Sequence, residues 1–145
     1  MKNRTDIDRL HDEIKELVDE LWHQPRLAGG RRGFRPQADC IRSEDPAELR
    51  VIVELPGVDP AMIKVIAADR VLVVAGERRR PQVSGRYRQL EIEYGPFQRR
   101  ISLIEPVDTA AATARYEQGL LTVVLPIAAK TPKRERVTIA IGARK

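Results

Sequence analysis

Apolar and polar residues alternate along the middle of the chain with the period of two that is typical of β-strands. The clearest run extends from Leu49 to Leu55 and ends at Pro56-Gly57. Further runs of strand-forming residues lie at 63–67, 71–75, 101–104 and 120–125. The short segment Ala68-Asp69-Arg70, between the first two of these, predicts a tight hairpin.

Several of these runs are apolar on both faces, which indicates that both sides of the predicted strands are covered. Short strands with no convincing helix between them are typical of an all-β domain. We therefore predict an immunoglobulin-like antiparallel β-sandwich over about residues 37–128. Within it, the polar segment at about 78–96 is too long for a hairpin loop and is expected to project from the domain.

One helix is predicted before the strands, at about residues 6–22. Thr5 and Asp8 have the spacing of a capping box, and Pro25 ends the pattern. Apolar residues recur at spacings of three and four: Ile7, Leu10, Ile14, Leu17 and Leu21. Such a short stripe is not stable in isolation, so it packs either on its own domain or inside an assembly. The flexible glycine- and arginine-rich linker 26–36 favours the assembly.

The end of the chain is an apolar row that follows a charged connector. Residues 129–136 contain four basic residues, one acid and one proline, a composition that does not fold by itself. Beyond them, Val137, Ile139 and Ile141 would share one face of an extended strand. The row either docks on its own domain as a last strand or inserts into a neighbouring subunit. Fully extended, connector and row could span roughly 50 Å.

Length and composition limit the classes to which the chain can belong. Its 145 residues fit one domain with appendages, which needs no disulfide or metal to fold. Cys40 is the only cysteine, which fits a reducing compartment. Neither a signal peptide nor an apolar run of membrane-spanning length is visible, so we expect a cytoplasmic protein without a membrane partner.

Basic residues exceed acidic ones, and the formal net charge is +5. The excess lies in two patches, one with Arg26, Arg31, Arg32 and Arg35, the other with Arg78, Arg79, Arg80, Arg86 and Arg88. The whole chain has only two Phe, three Tyr and one Trp, so surfaces on which bases could stack are scarce, and neither patch lies on a helix of the kind that reads a DNA groove. We therefore interpret both as solvated loops and expect no specific nucleic acid as a partner.

No residues with catalytic or metal-binding spacing are present in the sequence. His11 and His23, with a single cysteine, make no plausible zinc site. The glycine-rich segment 29–33 lacks the Lys-Ser/Thr pair of a phosphate-binding loop, and no Gly-x-Ser-x-Gly motif occurs. We therefore predict no enzymatic activity, no metal and no cofactor.

Several motifs resemble those of the small heat-shock proteins, the α-crystallin family. The segment Ala114-Arg-Tyr-Glu-Gln-Gly-Leu-Leu-Thr-Val-Val-Leu-Pro126 is similar to the family signature. Gln118 stands in place of the usual asparagine and Leu120 in place of the usual valine. Other motifs match in the same order: Val53-Glu-Leu-Pro-Gly-Val58, Leu72-Val-Val-Ala-Gly-Glu-Arg78, Tyr94-Gly-Pro-Phe-Gln-Arg-Arg100 and Ile139-Ala-Ile141.

The resemblance implies an α-crystallin domain that dimerises and then assembles into a larger homo-oligomer. In the bacterial and plant branch of the family, the two subunits exchange a strand carried on the projecting loop. Here that strand would contain Tyr87, Leu90, Ile92 and Tyr94. Arg99 matches a family arginine at the dimer contact. The implied function is ATP-independent binding of unfolding client proteins, which prevents their aggregation.

The resemblance also implies roles for the two ends of the chain. Ile139 and Ile141 would enter an apolar groove of another dimer. That groove would be lined by Ile63, Val65, Ala112 and Ala114. The N-terminal arm is short and poor in phenylalanine, and would bind clients through Ile7, Leu10, Ile14, Leu17, Leu21 and Trp22.

Two other functions stay open at this point. One is a monomeric co-chaperone type of β-sandwich that acts as a binding module, and it would lack both the projecting strand and the Ile-x-Ile tail. The other is a basic β-domain that binds RNA, which a shift on nucleic acid at physiological salt would reveal.

Overall fold

The computed structural model describes residues 33–68, 70–128 and 136–143. The strands in these ranges are β1 (Ala38–Ser43), β2 (Glu48–Glu54), β3 (Ile63–Ala68), β4 (Val71–Arg78), β5 (Gly95–Ser102), β6 (Thr113–Glu117), β7 (Leu120–Pro126), β8 (Val137–Thr138) and β9 (Ile141–Ala143). They form two sheets, with strand orders β1-β2-β7-β6-β9 and β5-β4-β3-β8. All named pairs are antiparallel except β6 with β9. The predicted all-β sandwich is confirmed, and the helix predicted at about 6–22 lies outside the described residues.

Alternate residues of both sheets meet in one buried core. β2 contributes Leu49, Val51 and Val53, and β4 contributes Leu72 and Val74. Each of these side chains is at most 1% exposed. Burial of one such side chain stabilises the fold by about 1.5–3 kcal/mol relative to an exposed position. The alternating apolar residues of the sequence are therefore those that face the core, and the residues between them lie on the opposite face of each strand.

β3 and β4 form the predicted hairpin, and their last pair is Ala68 with Val71. Their inward residues belong to the core between the sheets. Their outward residues form a second buried cluster, which consists of Ile66, Ala68, Val71, Val73 and Ala75. The prediction that some strands are covered on both faces is therefore confirmed for this hairpin.

Two strands differ from the sequence predictions. The run predicted at 101–104 is only the end of β5, which begins at Gly95 because it pairs with the whole of β4. Ile104 lies beyond the strand and is 75% exposed. β6 is missing from the predicted runs because its inward positions hold Ala114 and Tyr116, and alanine is depleted in strands.

The turn between β6 and β7 uses left-handed backbone. Gln118 has φ of 54° and Gly119 has φ of 77°, as a two-residue hairpin turn requires. A Cβ atom on Gly119 would lie 3.1 Å from the Cα of Pro56. The N–H of Leu55 donates to the carbonyl of Gly119 at 2.7 Å. The turn is therefore packed against the end of β2.

Outside the strands, the described residues include 3₁₀ turns at Pro60–Met62 and Thr109–Ala111. Asp59 and Asp108 begin these turns, and each accepts a backbone N–H with its carboxylate. No helix in the described ranges is long and apolar enough to span a membrane. The same ranges contain no group of three or more His, Cys, Asp or Glu residues that could hold a metal ion.

Candidate functional site: the tail groove and the projecting loop

An apolar groove lies along one side of the sandwich, between β3 of one sheet and β6 of the other. The end of the chain fills this groove. β8 pairs with β3 and, only two residues later, β9 pairs with β6, so the tail crosses from one sheet to the other. The tail therefore covers two strands that would otherwise be sheet edges.

Two isoleucines of the tail contact the groove. Ile139 is 6% exposed and joins the core cluster. Its N–H donates to the carbonyl of Val65 at 2.8 Å. Ile141 is half-buried and pairs with Ala114 of β6, whereas Ala140 between them is exposed. The groove thus holds an extended segment through backbone hydrogen bonds and two apolar side chains one residue apart.

The predicted groove residues and the predicted tail residues come together in the structure. Ile63, Val65 and Ala114 belong to the same buried cluster as Ile139, and Ala112 is half-buried against it. In the single chain, the groove and the tail belong to the same molecule. The insertion of the tail into another dimer stays a prediction.

The projecting segment between β4 and β5 contains no strand over residues 79–94. It nevertheless carries large apolar side chains that are 46–60% exposed: Val83, Tyr87, Leu90 and Ile92. Because exposed apolar residues of this size are costly when they cluster, the segment has the composition of an interface. Three of the five residues predicted for the dimer contact therefore lie on the surface of the single chain, available to a partner.

β1 forms the edge of the larger sheet on the side away from the groove. Within the described part of the chain its partner is β2 alone, so its outer edge can accept a further strand. Ile41 on this strand is 44% exposed. Cys40 beside it is a free, exposed thiol whose pKa is raised by partial burial, so it is less reactive than an ordinary cysteine.

Arg78 contradicts the interpretation of its patch as a solvated loop. It is 8% exposed and donates hydrogen bonds to the carbonyls of Glu93 and Pro56. Its guanidinium also lies over the rings of Phe34 and Tyr94. Arg78 is buried because the alternation along β4 places position 78 on the same face as the core residues. That alternation is visible in the sequence and could have predicted the burial of Arg78.

The residues around Arg78 fix both ends of the projecting segment. Tyr94 is half-buried, and two guanidinium groups lie over its ring. The ring centre is 5.2 Å from the guanidinium carbon of Arg78 and 4.5 Å from that of Arg80. Arg80 also lies 5.4 Å from the ring centre of Tyr87. Arg99, the fifth residue predicted for the dimer contact, donates to the carbonyl of Pro36 at 2.6 Å within its own chain. Tyr94 and Arg99 are therefore engaged within the subunit.

Part of the predicted linker packs on the sandwich. Phe34 contacts Phe97 edge-on, with ring centres 5.8 Å apart, and Pro36 is buried. A Cβ atom on Gly33 would lie only 1.8 Å from the carbonyl oxygen of Pro96. The domain packing therefore begins before the predicted boundary at residue 37. The predicted client-binding residues Ile7, Leu10, Ile14, Leu17, Leu21 and Trp22 lie outside the described part of the chain.

The sequence is similar to a known protein family and to several of its members. The family model described as the Hsp20/alpha crystallin family matches residues 41–142. The chain is 36% identical over 145 aligned positions to the 19.0 kDa class II heat shock protein of Oryza sativa subsp. japonica, with 86% of this chain and 82% of the relative covered. It is 35% identical over 147 positions to the 18 kDa heat shock protein of Streptomyces albus G, with 98% and 94% covered.

Solved structures of small heat-shock proteins share this fold with the chain. Heat shock protein 16.0 from Schizosaccharomyces pombe has a TM-score of 0.61 and 29% identity, and the match covers 73% of this chain and 98% of that one. A small heat-shock protein from Xylella fastidiosa has a TM-score of 0.58 and 33% identity, again with 73% and 98% covered. Both matches extend over almost the whole of the solved chains.

Proposed function

Because the chain belongs to the Hsp20/alpha crystallin family, we propose that it is an ATP-independent molecular chaperone, a holdase that binds unfolding proteins and prevents their aggregation. The family is one of small heat shock proteins, which are chaperones and not enzymes. The working unit in this proposal is a dimer that assembles into a larger homo-oligomer. Its place is the cytoplasm, where the free thiol of Cys40 would stay reduced.

The observation that carries the proposal is the occupant of the tail groove. The tail binds as an extended segment whose two isoleucines are separated by one residue, with its backbone hydrogen-bonded to β3. Unfolding proteins expose extended apolar segments of the same kind, and the addition of a strand to a sheet edge is a general mode of peptide binding. Departure of the tail would make the groove available to such a segment of a client.

The dimer would form through the projecting segment. Residues 87–94 of one subunit would add as a strand to the free edge of β1 in its partner. The exposure of Leu90 and Ile92 on the segment and of Ile41 on β1 supports this exchange, since all three would be buried by it. Main-chain hydrogen bonds would supply affinity and the alternate apolar side chains would supply specificity.

The larger oligomer would be held by tails that leave their own groove and enter the groove of another dimer. Burial of two isoleucine side chains gives about 3–6 kcal/mol before costs. Ordering the charged connector consumes much of this gain, so one contact is weak. Repetition of the contact around an oligomer makes it strong while each tail can still be released. Heating would therefore uncover grooves without destroying the sandwich.

The direct test joins native mass with suppression of aggregation. Light scattering should give a mass of many subunits, and the protein should suppress heat-induced aggregation of a model client without ATP. Addition of ATP, as the matched control, should leave the suppression unchanged. A monomer that fails to suppress aggregation would overturn the proposal. A monomer that binds a partner chaperone would support the co-chaperone alternative, and a gel shift with RNA at physiological salt would support the nucleic-acid alternative.

A further inference from the structure

The outer face of the β3–β4 hairpin is buried although neither sheet stacks on it. Its five apolar residues, the second buried cluster, are at most 2% exposed: Ile66, Ala68, Val71, Val73 and Ala75. The cluster contains residues of β3 and β4 alone and none from the larger sheet. The outer face of a sandwich is exposed to solvent unless another segment lies on it. A segment beyond the two sheets must therefore cover this face.

We propose that the covering segment is the chain's own N-terminal arm, which docks on this face through its apolar stripe at residues 7–21. The stretches outside the described ranges are 1–32, 69, 129–135 and 144–145. Residues 129–135 are mostly charged or polar, and the others apart from 1–32 are one or two residues long. The segment 1–32 is therefore the one with an apolar surface long enough to cover five buried residues.

The position at which the arm joins the domain fits this occupant. Gly33, the first described residue, lies against Pro96 and Gly95 at the start of β5. β5 is the neighbour of β4 in the same sheet, so the arm enters the domain at the edge of the covered face. The eleven residues from 22 to 32 could extend about 36 Å, which exceeds the width of the three strands at about 5 Å each.

Charge also favours this docking. The outward positions around the cluster include Lys64 on β3, opposite Ala75, and Arg100 on β5, opposite Val73. Glu77, the next outward position on β4, is an acid whose carboxylate pairs with Arg79. Residues 6–20 of the arm contain seven acidic residues against two Lys or Arg. Four of the acids directly precede residues of the apolar stripe: Asp6, Glu13, Glu16 and Glu20. In a helix they would form an acidic row along one border of the stripe, opposite a basic rim.

The contact implies a second apolar surface that is separate from the tail groove. The tail groove opens when Ile139 and Ile141 leave, whereas the outer face opens when the arm leaves. The contact would exist whether or not the protein holds clients, so its test does not depend on chaperone activity.

Thiol accessibility tests the docking in the full-length chain. Cys40→Ser removes the native thiol, and Val73→Cys in this background reports on the outer face. Val74→Cys is the matched control, because Val74 is the next residue along β4 and faces the core between the sheets. In the chain with an intact arm, both introduced thiols should react slowly with a soluble thiol reagent.

Weakening the stripe should then expose only the outer face. With Leu10→Ser, Ile14→Ser and Leu17→Ser, the thiol at position 73 should react roughly tenfold faster or more, while that at position 74 stays protected. Equal protection at position 73 with and without these changes would overturn the proposal. If reactivity at 73 in the intact chain rises on dilution, the cover belongs to another copy and the intramolecular contact is wrong.

If the three serine changes open the whole domain, both thiols become reactive, and a second variant is then needed to test the docking. Lys64→Glu with Arg100→Glu leaves the arm intact and reverses the basic rim. These changes should accelerate labelling at position 73 several-fold at low salt and less at high salt, since exposed charges are screened. No acceleration at either salt concentration would overturn the docking of an acidic arm on this face.

Discussion

The guanidinium carbon of Arg78 lies 3.6 Å from the centre of the Phe34 ring. Phe34 itself packs edge-on against Phe97 of β5. The same guanidinium donates to the carbonyl oxygens of Glu93, at the end of the projecting segment, and Pro56, after β2. One buried cation therefore joins the entry of the chain into the domain with the base of the predicted dimerisation segment.

Replacement of Arg78 by methionine should destabilise the domain. Arg78→Met keeps an apolar stem but leaves the carbonyls of Glu93 and Pro56 without their donor. We expect a loss of about 2–4 kcal/mol in the free energy of unfolding, measured by urea denaturation. Trypsin should also cleave the segment 79–94 faster, because Glu93 and Tyr94 at its end would lose their contacts with Arg78.

The neighbouring arginine provides the control for this prediction. Arg79 is exposed and pairs only with the nearby carboxylate of Glu77 among the contacts described. Arg79→Met should change the free energy of unfolding by no more than about 0.5 kcal/mol. Equal stability of the two variants would show that the contacts of Arg78 do not hold the base of the projecting segment.

The β6–β7 turn should be improved by one substitution and damaged by another. Gln118 adopts positive φ, which asparagine tolerates better, so Gln118→Asn should stabilise the domain by about 0.5–1 kcal/mol. Gly119→Ala should destabilise it by about 1–3 kcal/mol, because it adds a Cβ at positive φ close to Pro56. Denaturant midpoints at unchanged m-value measure both effects. Two changes of the same sign would contradict this account of the turn.

Charges on the projecting segment should prevent dimerisation without unfolding the subunit. Leu90→Lys with Ile92→Lys places charges where the proposed exchange buries apolar side chains. Because both residues are exposed in the single chain, the secondary structure should be unchanged, while sedimentation velocity should show monomers. Val83→Lys, also exposed but outside 87–94, should leave the dimer intact. Dissociation by Val83→Lys alone, or none by the double variant, would exclude the exchange of residues 87–94.

The ion pair between Arg42 of β1 and Glu105 should make a small, pH-dependent contribution. The hydrogen bond from Arg42 lowers the pKa of Glu105 below its usual value. Stability from this pair is therefore present above the unfolded-state pKa and is lost as pH falls through the folded-state pKa. Glu105→Gln should lower the thermal midpoint slightly near pH 7 and have no effect in acid below both pKa values. A difference that persists in acid would point to another cause.

The core could be predicted from sequence, whereas contacts between distant segments could not. Leu49, Val51 and Val53 alternate with polar neighbours, and this local pattern is enough to identify β2 and its inner face. The burial of Arg78 depends on Phe34 and Tyr94, which lie far from it along the chain. Arginine is mostly an exposed residue, so composition alone assigns it to the surface.

The tail illustrates a different limit of sequence reasoning. Its alternation predicts an extended segment with Ile139 and Ile141 on one face, and both isoleucines contact the groove. The pattern cannot decide which molecule supplies the groove, because the same residues line it in every copy. That choice depends on the reach of the connector, on protein concentration and on the number of tails bound at once.

Truncation of both isoleucines should therefore separate assembly from folding. Ile139→Ala with Ile141→Ala removes the side chains that fill the groove, and light scattering should show a fall from the large oligomer to a dimer. Ala140→Ser changes the exposed residue between them and should leave the mass unchanged. The sandwich should still unfold cooperatively, because the strands of both sheets apart from β8 and β9 are untouched.

An unchanged large oligomer would exclude the tail as the latch between dimers. If a hydrophobic dye then bound more strongly at that unchanged mass, the tail would be a cap on its own groove, and the oligomer would depend on other contacts.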